Sequence, residues 1–236
     1  IKLDNIDFSF TGSSKKIFKN FSIEISAFEK VGIVGTTGCG KTTLIDLILG
    51  LLKPDNGKVL IDDKVVDETN IANWQKNIGY IPQNIFLSDC SIASNIAFGE
   101  EIENIDYKLV ESVSKTANLH EFIVNLPEKY NTVVGERGIR LSGGERQRIG
   151  IARALYQKPK VLIMDEATSA LDNYTEKLVM ESLKNVGNNI TKIIVAHRLS
   201  TVKDCNNIFV LNKGNIVAQG KYEDLENNDI NFQKIQ

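Results

Sequence analysis

The sequence lacks the features that define several protein classes. Its longest apolar stretch, residues 44–52, is interrupted by Asp46 and is much shorter than the roughly 20 apolar residues of a membrane-spanning helix. Only three cysteines occur, at positions 39, 90 and 205. Their wide spacing excludes a disulfide framework or a cysteine metal site and is typical of a reducing compartment. There is no internal repeat and no low-complexity tract.

Neither positive nor negative charge is in large excess. The chain has 28 Lys and Arg residues against 30 Asp and Glu residues, which gives a net charge of −2 at pH 7. A nucleic-acid-binding protein usually carries a basic surplus, so nucleic acid is not expected as a partner. Hydrophobic residues make up 42% and charged residues 25% of the 236 positions, which is typical of a globular domain and excludes disordered and fibrous classes.

Short β-branched runs are interleaved with helical patterns, which favours an α/β fold. Strands are predicted at the N-terminus and at residues 31–34, 59–61, 78–81, 161–164, 193–196, 208–211 and 216–218. Helices are predicted at residues 41–51, 107–124, 143–156 and 175–185. Several strand runs are apolar throughout, as in strands buried on both faces of a sheet. Residues 84–157 contain helical patterns without a convincing strand, so we predict a helical subdomain inserted into a core of residues 1–83 and 158–236.

A phosphate-binding loop is predicted after the strand at residues 31–34. The motif G-x-x-x-x-G-K-[ST] is formed by Gly35, Thr36, Thr37, Gly38, Cys39, Gly40, Lys41 and Thr42, and Thr43 follows it. Its glycines let backbone N–H groups turn toward phosphate oxygens, and the following helix adds its positive N-terminal end. Lys41 would neutralise the β- and γ-phosphates of a nucleotide, and the Thr42 hydroxyl would bind Mg²⁺. The alternative is a purely structural glycine turn.

Two adjacent acids end the apolar strand at residues 161–164. Burial of two carboxylates is costly unless a cation is near. Asp165 would hold Mg²⁺ through water, and Glu166 would polarise a water aimed at the γ-phosphate. A solvated strand end is the alternative, and the phosphate loop upstream argues against it.

A third motif precedes a basic amphipathic helix. Leu141, Ser142, Gly143, Gly144 and Glu145 form the sequence LSGGE. Ser142 can cap the helix, and the glycines leave N–H groups open to an anion. Taken alone, the motif also fits an ordinary helix cap.

The three motifs, which occur along the chain in the order phosphate loop, LSGGE and acid pair, resemble the nucleotide-binding domain of the ATP-binding cassette (ABC) transporter family. The resemblance covers essentially the whole chain. It implies a RecA-like P-loop NTPase core with an antiparallel β patch and the inserted helical subdomain. It also implies hydrolysis of ATP with Mg²⁺ as the metal cofactor.

The resemblance implies roles for further residues. Phe10 stands where the family places an aromatic ring that stacks on adenine, although tyrosine is more usual there. Gln83 corresponds to a glutamine that contacts Mg²⁺ and the attacking water. Asp172 ends the SALD segment at residues 169–172, a loop that connects paired sites, and His197 corresponds to a histidine that binds the γ-phosphate. Cys39 occupies a position where serine is common, and we expect its thiol to be alkylated readily and protected by ATP.

The family's mechanism implies a second nucleotide-binding domain as partner. Residues Ser142, Gly143, Gly144 and Glu145 would contact ATP held by the other domain of a head-to-tail homodimer. The catalytic set implied by the resemblance is Lys41, Gln83, Glu166 and His197. Binding of two ATP molecules would close the dimer, and hydrolysis would open it.

Residues 86–99 and 134–138 resemble exporter-type members of the family. The resemblance implies a transmembrane domain N-terminal in the same chain and a location at the cytoplasmic face of the inner or plasma membrane. The first residue is not methionine, so we expect a C-terminal portion of a longer half-transporter. Residues 71–89 and 216–228 are similar to bacterial transporters of lipid-linked oligosaccharides or other glycolipids.

Several alternatives remain at this point. The main one is the ATPase subunit of an importer. A soluble family member acting on DNA or ribosomes would usually carry coiled-coil insertions or two cassettes, which this chain lacks. A small-molecule kinase or GTPase would not need the LSGGE motif. A regulatory cassette without turnover is disfavoured because Glu166 and His197 are both present.

Overall fold

A computed structural model of the chain describes residues 1–13, 15–167 and 171–233, and within these ranges there are ten β-strands and ten α-helices. The strands are β1 Lys2–Ser9, β2 Lys16–Glu24, β3 Lys30–Gly35, β4 Asn56–Ile61, β5 Lys64–Val65, β6 Ile78–Ile81, β7 Val161–Asp165, β8 Thr191–Ala196, β9 Asn207–Asn212 and β10 Asn215–Gly220. The helices are α1 Lys41–Leu49, α2 Ile71–Gln75, α3 Ile92–Ile96, α4 Tyr107–Thr116, α5 His120–Val124, α6 Gly143–Tyr156, α7 Asn173–Asn185, α8 Leu199–Val202, α9 Tyr222–Asn228 and α10 Ile230–Gln233. None of the helices in the described ranges is both long enough and apolar enough to cross a membrane.

A six-stranded sheet forms the centre of the fold. Its strand order is β10-β9-β3-β8-β7-β6, and all neighbours are parallel except β10, which runs antiparallel to β9. Because β3, β8 and β7 are adjacent and parallel, their carboxyl ends lie at the same edge of the sheet. In open α/β sheets this is the edge where ligands bind.

Both faces of this sheet are buried. Along β8, Ile193 and Val195 pack into one hydrophobic cluster, whereas Ile194 and Ala196 pack into another. Alternate residues of a strand point to opposite faces, so a strand covered on both sides has to be apolar throughout. The predicted α/β class and the predicted two-sided burial of the apolar strand runs are confirmed.

A four-stranded antiparallel sheet with the order β2-β1-β4-β5 contributes, together with α1, to the cluster that contains Ile193 and Val195. Phe18 and Phe21 of β2 lie in this cluster with ring centroids 4.6 Å apart. The sequence analysis identified no strand in this segment. Its apolar residues do not alternate regularly, because the pairing with β1 contains register shifts and Asn20 has a positive φ of 51°.

The segment between β6 and β7 contains helices α3 to α6. The prediction of one helix over residues 107–124 is wrong, because α4 ends at Thr116 and α5 begins at His120. Asn118, between them, has a left-handed φ of 52°, and asparagine tolerates this conformation better than most residues. The bounds of the subdomain, residues 84–157, stay a prediction.

Asn95 joins the chain after β6 to helix α6. Its side chain is fully buried, and its amide nitrogen donates to the carbonyls of Ser88 and Ser91 at 3.0 and 3.1 Å. Its amide oxygen accepts from the Ser88 backbone N–H at 3.0 Å and from the guanidinium of Arg153 at 3.2 Å. Arg153 also donates to the Phe86 carbonyl at 2.8 Å. One buried amide therefore satisfies several backbone groups of this irregular segment.

We predict that Asn95→Ala lowers the free energy of unfolding by about 3 kcal/mol, because buried donors and acceptors lose their partners. Urea unfolding followed by circular dichroism measures the change. The matched control is Asn104→Ala, since Asn104 is exposed. Equal stability of the two variants would contradict a structural role of the Asn95 amide.

Candidate active site

The predicted phosphate loop connects β3 to α1. Thr36, Thr37 and Gly38 are exposed, and Thr42 is exposed in the first turn of the helix. Gly40 precedes the helix with a φ of 112°, and a Cβ atom there would lie 3.0 Å from the Phe18 ring. Glycine is therefore required at this position. The loop and the N-terminus of α1, a nine-residue helix, have the arrangement that binds phosphate groups.

Lys41 extends from the first turn of α1 toward the loop. Its side chain is only 5% exposed, and Nζ donates to the Gly35 carbonyl at 2.9 Å. The same nitrogen lies 3.6 Å from Oε1 of Glu166. A buried ammonium group needs such partners, and the carboxylate supplies the opposite charge.

Glu166 follows β7 and has a left-handed φ of 49°. Its Oε1 lies 2.7 Å from Nε2 of His197, the residue that follows β8, and its side chain is 13% exposed. The two residues are 31 positions apart in the sequence, and the parallel pairing of β7 with β8 brings them together. The structure thus joins Lys41, Glu166 and His197 in one cluster.

Asp165 ends β7 beneath this cluster. The residue is 7% exposed, its Oδ2 accepts from the Tyr80 hydroxyl at 3.4 Å, and its Oδ1 is buried without a hydrogen-bond partner. Burial raises the pKa of the Asp165 carboxyl, and the neighbouring charge of Glu166 raises it further. A buried carboxylate oxygen without a donor is costly unless a cation compensates it.

These residues fit the magnesium ion of a bound nucleotide. The unpartnered Oδ1 of Asp165 and the exposed Thr42 are oxygen donors, the kind that Mg²⁺ prefers. Within the described ranges, no group of three His, Cys, Asp or Glu residues could hold a metal ion by itself. Mg²⁺ commonly binds through one or two protein oxygens together with substrate phosphates, so MgATP is the fitting ligand.

Gln83 lies near the end of β6 and is exposed. Its backbone carbonyl accepts from the Gln147 side chain of α6 at 2.9 Å. This bond links the segment after β6 to the helix that follows the LSGGE motif. Contact of the Gln83 side chain with Mg²⁺ stays a prediction.

The LSGGE motif starts helix α6. Ser142 and Glu145 form a capping box, with Ser142 N–H donating to Glu145 Oε2 at 2.7 Å and Glu145 N–H donating to Ser142 Oγ at 3.3 Å. Gly143 is half-buried, and a Cβ atom at Gly144 would collide with the Thr175 side chain of α7. The capping box explains the residue types of Ser142 and Glu145, and the close approach of α7 explains Gly144. Contact of the motif with ATP stays a prediction.

Asp172 caps helix α7. Its Oδ1 accepts from the backbone N–H groups of Tyr174 and Thr175, both at 3.0 Å, and its Oδ2 accepts from the Thr175 hydroxyl at 2.7 Å. Thr168, Ser169 and Ala170 lie outside the described residues, so half of the predicted SALD loop does as well. The role of Asp172 at a nucleotide stays a prediction.

Phe10 follows β1 and is 48% exposed. Its ring packs edge-on against Phe8, with centroids 5.1 Å apart. The exposed part of the ring is available to stack on a planar base. Stacking on adenine stays a prediction.

Two contacts were missed by sequence reasoning. Tyr80 reaches Asp165, and Arg198 donates to the Glu176 carboxylate at 2.6 Å. The partners lie 85 and 22 residues apart in the chain. Only the strand order and the packing of α7 reveal these contacts, and neither is visible in a single sequence.

Comparison with known proteins identifies relatives over nearly the whole chain. The family model described as ABC transporter matches residues 18–169. The chain is 42% identical over 219 residues to ATP-binding cassette sub-family B member 5 of Mus musculus, which covers 93% of this chain and 18% of that protein. It is 44% identical over 216 residues to ABC transporter B family member 29, chloroplastic, of Arabidopsis thaliana, which covers 92% of this chain and 34% of that protein.

A solved structure of a bacterial Atm1-family ABC exporter with ATP bound superposes with a TM-score of 0.91 at 36% sequence identity. The match covers 99% of this chain and 41% of that one. The chain therefore spans less than half the length of each of these three proteins.

The expected reactivity of Cys39 is wrong. Its side chain is 3% exposed, and burial raises the pKa of the thiol above its ordinary value despite the nearby charge of Lys41. A thiol at the mouth of the phosphate site was expected to be accessible, whereas the Cys39 side chain lies in the core cluster that also contains Phe18 and Phe21.

We predict that a maleimide reagent modifies Cys90 faster than Cys39 or Cys205. Cys90 is partly exposed, whereas the other two thiols are buried, and burial raises the pKa of Cys205 to about 12. Time-resolved mass spectrometry of the folded chain measures the three rates, and labelling in urea is the control. Faster labelling of Cys39 would contradict the buried position of its thiol.

Proposed function

Because the chain belongs to the ABC transporter family, as a nucleotide-binding domain of the exporter type, we propose that it hydrolyses MgATP to power export through an attached transmembrane domain. The observation that carries the proposal is the meeting of Lys41, Glu166 and His197 beside the buried Asp165. This cluster lies at the carboxyl edge of the sheet, next to a phosphate loop.

The loop amides and Lys41 would bind and neutralise the phosphate oxygens of the nucleotide. Thr42, Gln83 and Asp165 would hold the Mg²⁺ that accompanies it. Bound Mg²⁺ withdraws charge from the phosphate oxygens and favours attack on phosphorus.

Glu166 is the proposed base or water-positioning group. A water held by its carboxylate would attack the γ-phosphorus in line with the bond to ADP. That bond breaks as the new one forms, and the water proton passes to Glu166. In the structure, Nε2 of His197 contacts the Glu166 carboxylate at 2.7 Å, and with nucleotide bound the same nitrogen would instead donate to the γ-phosphate.

A second copy of the domain would complete each site. Ser142, Gly143, Gly144 and Glu145 begin α6, a 14-residue helix whose N-terminus suits an anion. Among the described residues, no hydrogen bond or ion pair joins this motif to the phosphate loop, which leaves the motif available to the partner's ATP. The proposed arrangement is a head-to-tail homodimer, in which Asp172 would lie near the contact between the two copies.

We propose that the membrane domain lies N-terminal to this segment and holds it at the cytoplasmic face of the inner or plasma membrane. Within the domain, residues 84–157 would form the helical subdomain, and residues 1–83 and 158–236 the core. The similarity of residues 71–89 and 216–228 to glycolipid transporters adds a narrower proposal, a lipid-linked glycan as cargo. Exporter-type relatives support export over the importer alternative.

We predict that Glu166→Gln lowers steady-state ATP hydrolysis by at least about 100-fold, because the amide cannot accept the water proton. ATP binding should be retained, since Lys41 and the loop remain. Phosphate release measures the rate, and Glu128→Gln is the control because Glu128 is exposed. Intact hydrolysis in Glu166→Gln would show that the catalytic assignment is wrong.

We also predict that Glu166→Gln elutes as a dimer in size-exclusion chromatography with MgATP and as a monomer without it. Slow hydrolysis should trap the closed state, in which each motif at Ser142 contacts the ATP of the other copy. The Lys41→Ala, Glu166→Gln double variant is the control and should stay monomeric. A monomer that still binds ATP would contradict dimerisation of this domain by itself.

A further inference from the structure

Tyr80 is a strand residue whose side chain reaches the candidate magnesium site. It lies on β6, where it pairs with Ile163 of the parallel strand β7. Asp165 is two residues further along β7, so its side chain is on the same face of the sheet as that of Ile163. The Tyr80 hydroxyl lies 3.4 Å from Oδ2 of Asp165.

The two oxygens of the Asp165 carboxylate have different surroundings. Oδ2 faces the Tyr80 hydroxyl, whereas Oδ1 is buried without a hydrogen-bond partner. The terminal torsion of an aspartate side chain is broad, so without a partner the carboxylate could rotate and exchange its two oxygens. A donor on one oxygen restricts that rotation.

The other charged groups near Asp165 cannot restrict it in the same way. Glu166 and Asp46 are carboxylates that repel the Asp165 carboxylate, and both raise its pKa. Lys41 attracts it, but its ammonium nitrogen is engaged with the Gly35 carbonyl at 2.9 Å and lies near Glu166. Tyr80 is the neutral donor in this group.

We propose that Tyr80 is a positioning residue for magnesium: its hydroxyl holds Oδ2 of Asp165 and leaves Oδ1 as the free acceptor for the Mg²⁺ of the bound nucleotide. The inference depends on the proposed function, because it concerns the same nucleotide site. Hydrogen-bonded partners of a metal-binding carboxylate commonly orient it and strengthen binding of the ion.

The hydroxyl is a donor at neutral pH, because the ordinary pKa of a tyrosine is about 10.

The test is Tyr80→Phe, which keeps the ring and removes the hydroxyl. Affinity for a fluorescent trinitrophenyl derivative of ATP is measured with Mg²⁺ and with EDTA. We expect affinity to fall about tenfold with Mg²⁺ and to stay unchanged with EDTA. In hydrolysis, the Mg²⁺ concentration for half-maximal rate should rise by a similar factor, while kcat at saturating Mg²⁺ stays near that of the wild type.

A matched control and a rescue variant separate this role from packing. Tyr222→Phe removes a tyrosine bond to another carboxylate, that of Glu226 at 3.2 Å, and should change neither affinity. Tyr80→Gln supplies an N–H donor and should restore part of the Mg²⁺-dependent affinity. If thermal unfolding shows that Tyr80→Phe is poorly folded, Tyr80→Gln still tests the positioning role.

The outcomes are distinguishable. An equal loss with Mg²⁺ and with EDTA, or no loss in either, would overturn the positioning role of Tyr80. A wild-type chain that binds the nucleotide no better with Mg²⁺ than with EDTA would instead contradict the proposed function. A loss confined to Mg²⁺, with rescue by Tyr80→Gln, supports the inference.

Discussion

The positive charge of Lys41 has to be balanced inside the protein, and the arrangement of the candidate site follows from that requirement. Its side chain is only 5% exposed, and a buried cation is stable only with hydrogen bonds and an opposite charge. The Gly35 carbonyl supplies the bond, and Glu166 supplies the charge. Glu166 is in turn held by His197 at 2.7 Å, so the three residues form one connected unit.

The six-stranded sheet makes this unit possible. Lys41 follows β3, Glu166 follows β7 and His197 follows β8, and β8 lies between the other two strands. Parallel neighbours bring the residues after their carboxyl ends to one edge, although these positions are widely separated in sequence. Burial of both sheet faces in two hydrophobic clusters keeps the strands in register, so the edge is a fixed platform for charged groups.

The predicted elements agree with the structure where a local pattern is sufficient. Helix α6 has the predicted bounds, 143–156, because its cap and its apolar spacing are both local. The helix predicted over residues 107–124 is two helices, since a single asparagine in a left-handed conformation interrupts an otherwise continuous pattern. The strand β2 was missed because bulges disturb its alternation, and it is stabilised by pairing with β1 and by burial of Phe18 and Phe21.

The residue types and spacing of the motifs were sufficient to predict the phosphate loop and the acid pair, because each depends on neighbours in the chain, whereas the role of His197 was implied by the family resemblance. Burial and long-range hydrogen bonds were not accessible in that way. The inward position of Cys39 and the contact of Tyr80 with Asp165 depend on packing and on strand order. Such contacts depend on many weak interactions distributed over the whole fold, so they cannot be predicted from a short stretch of sequence.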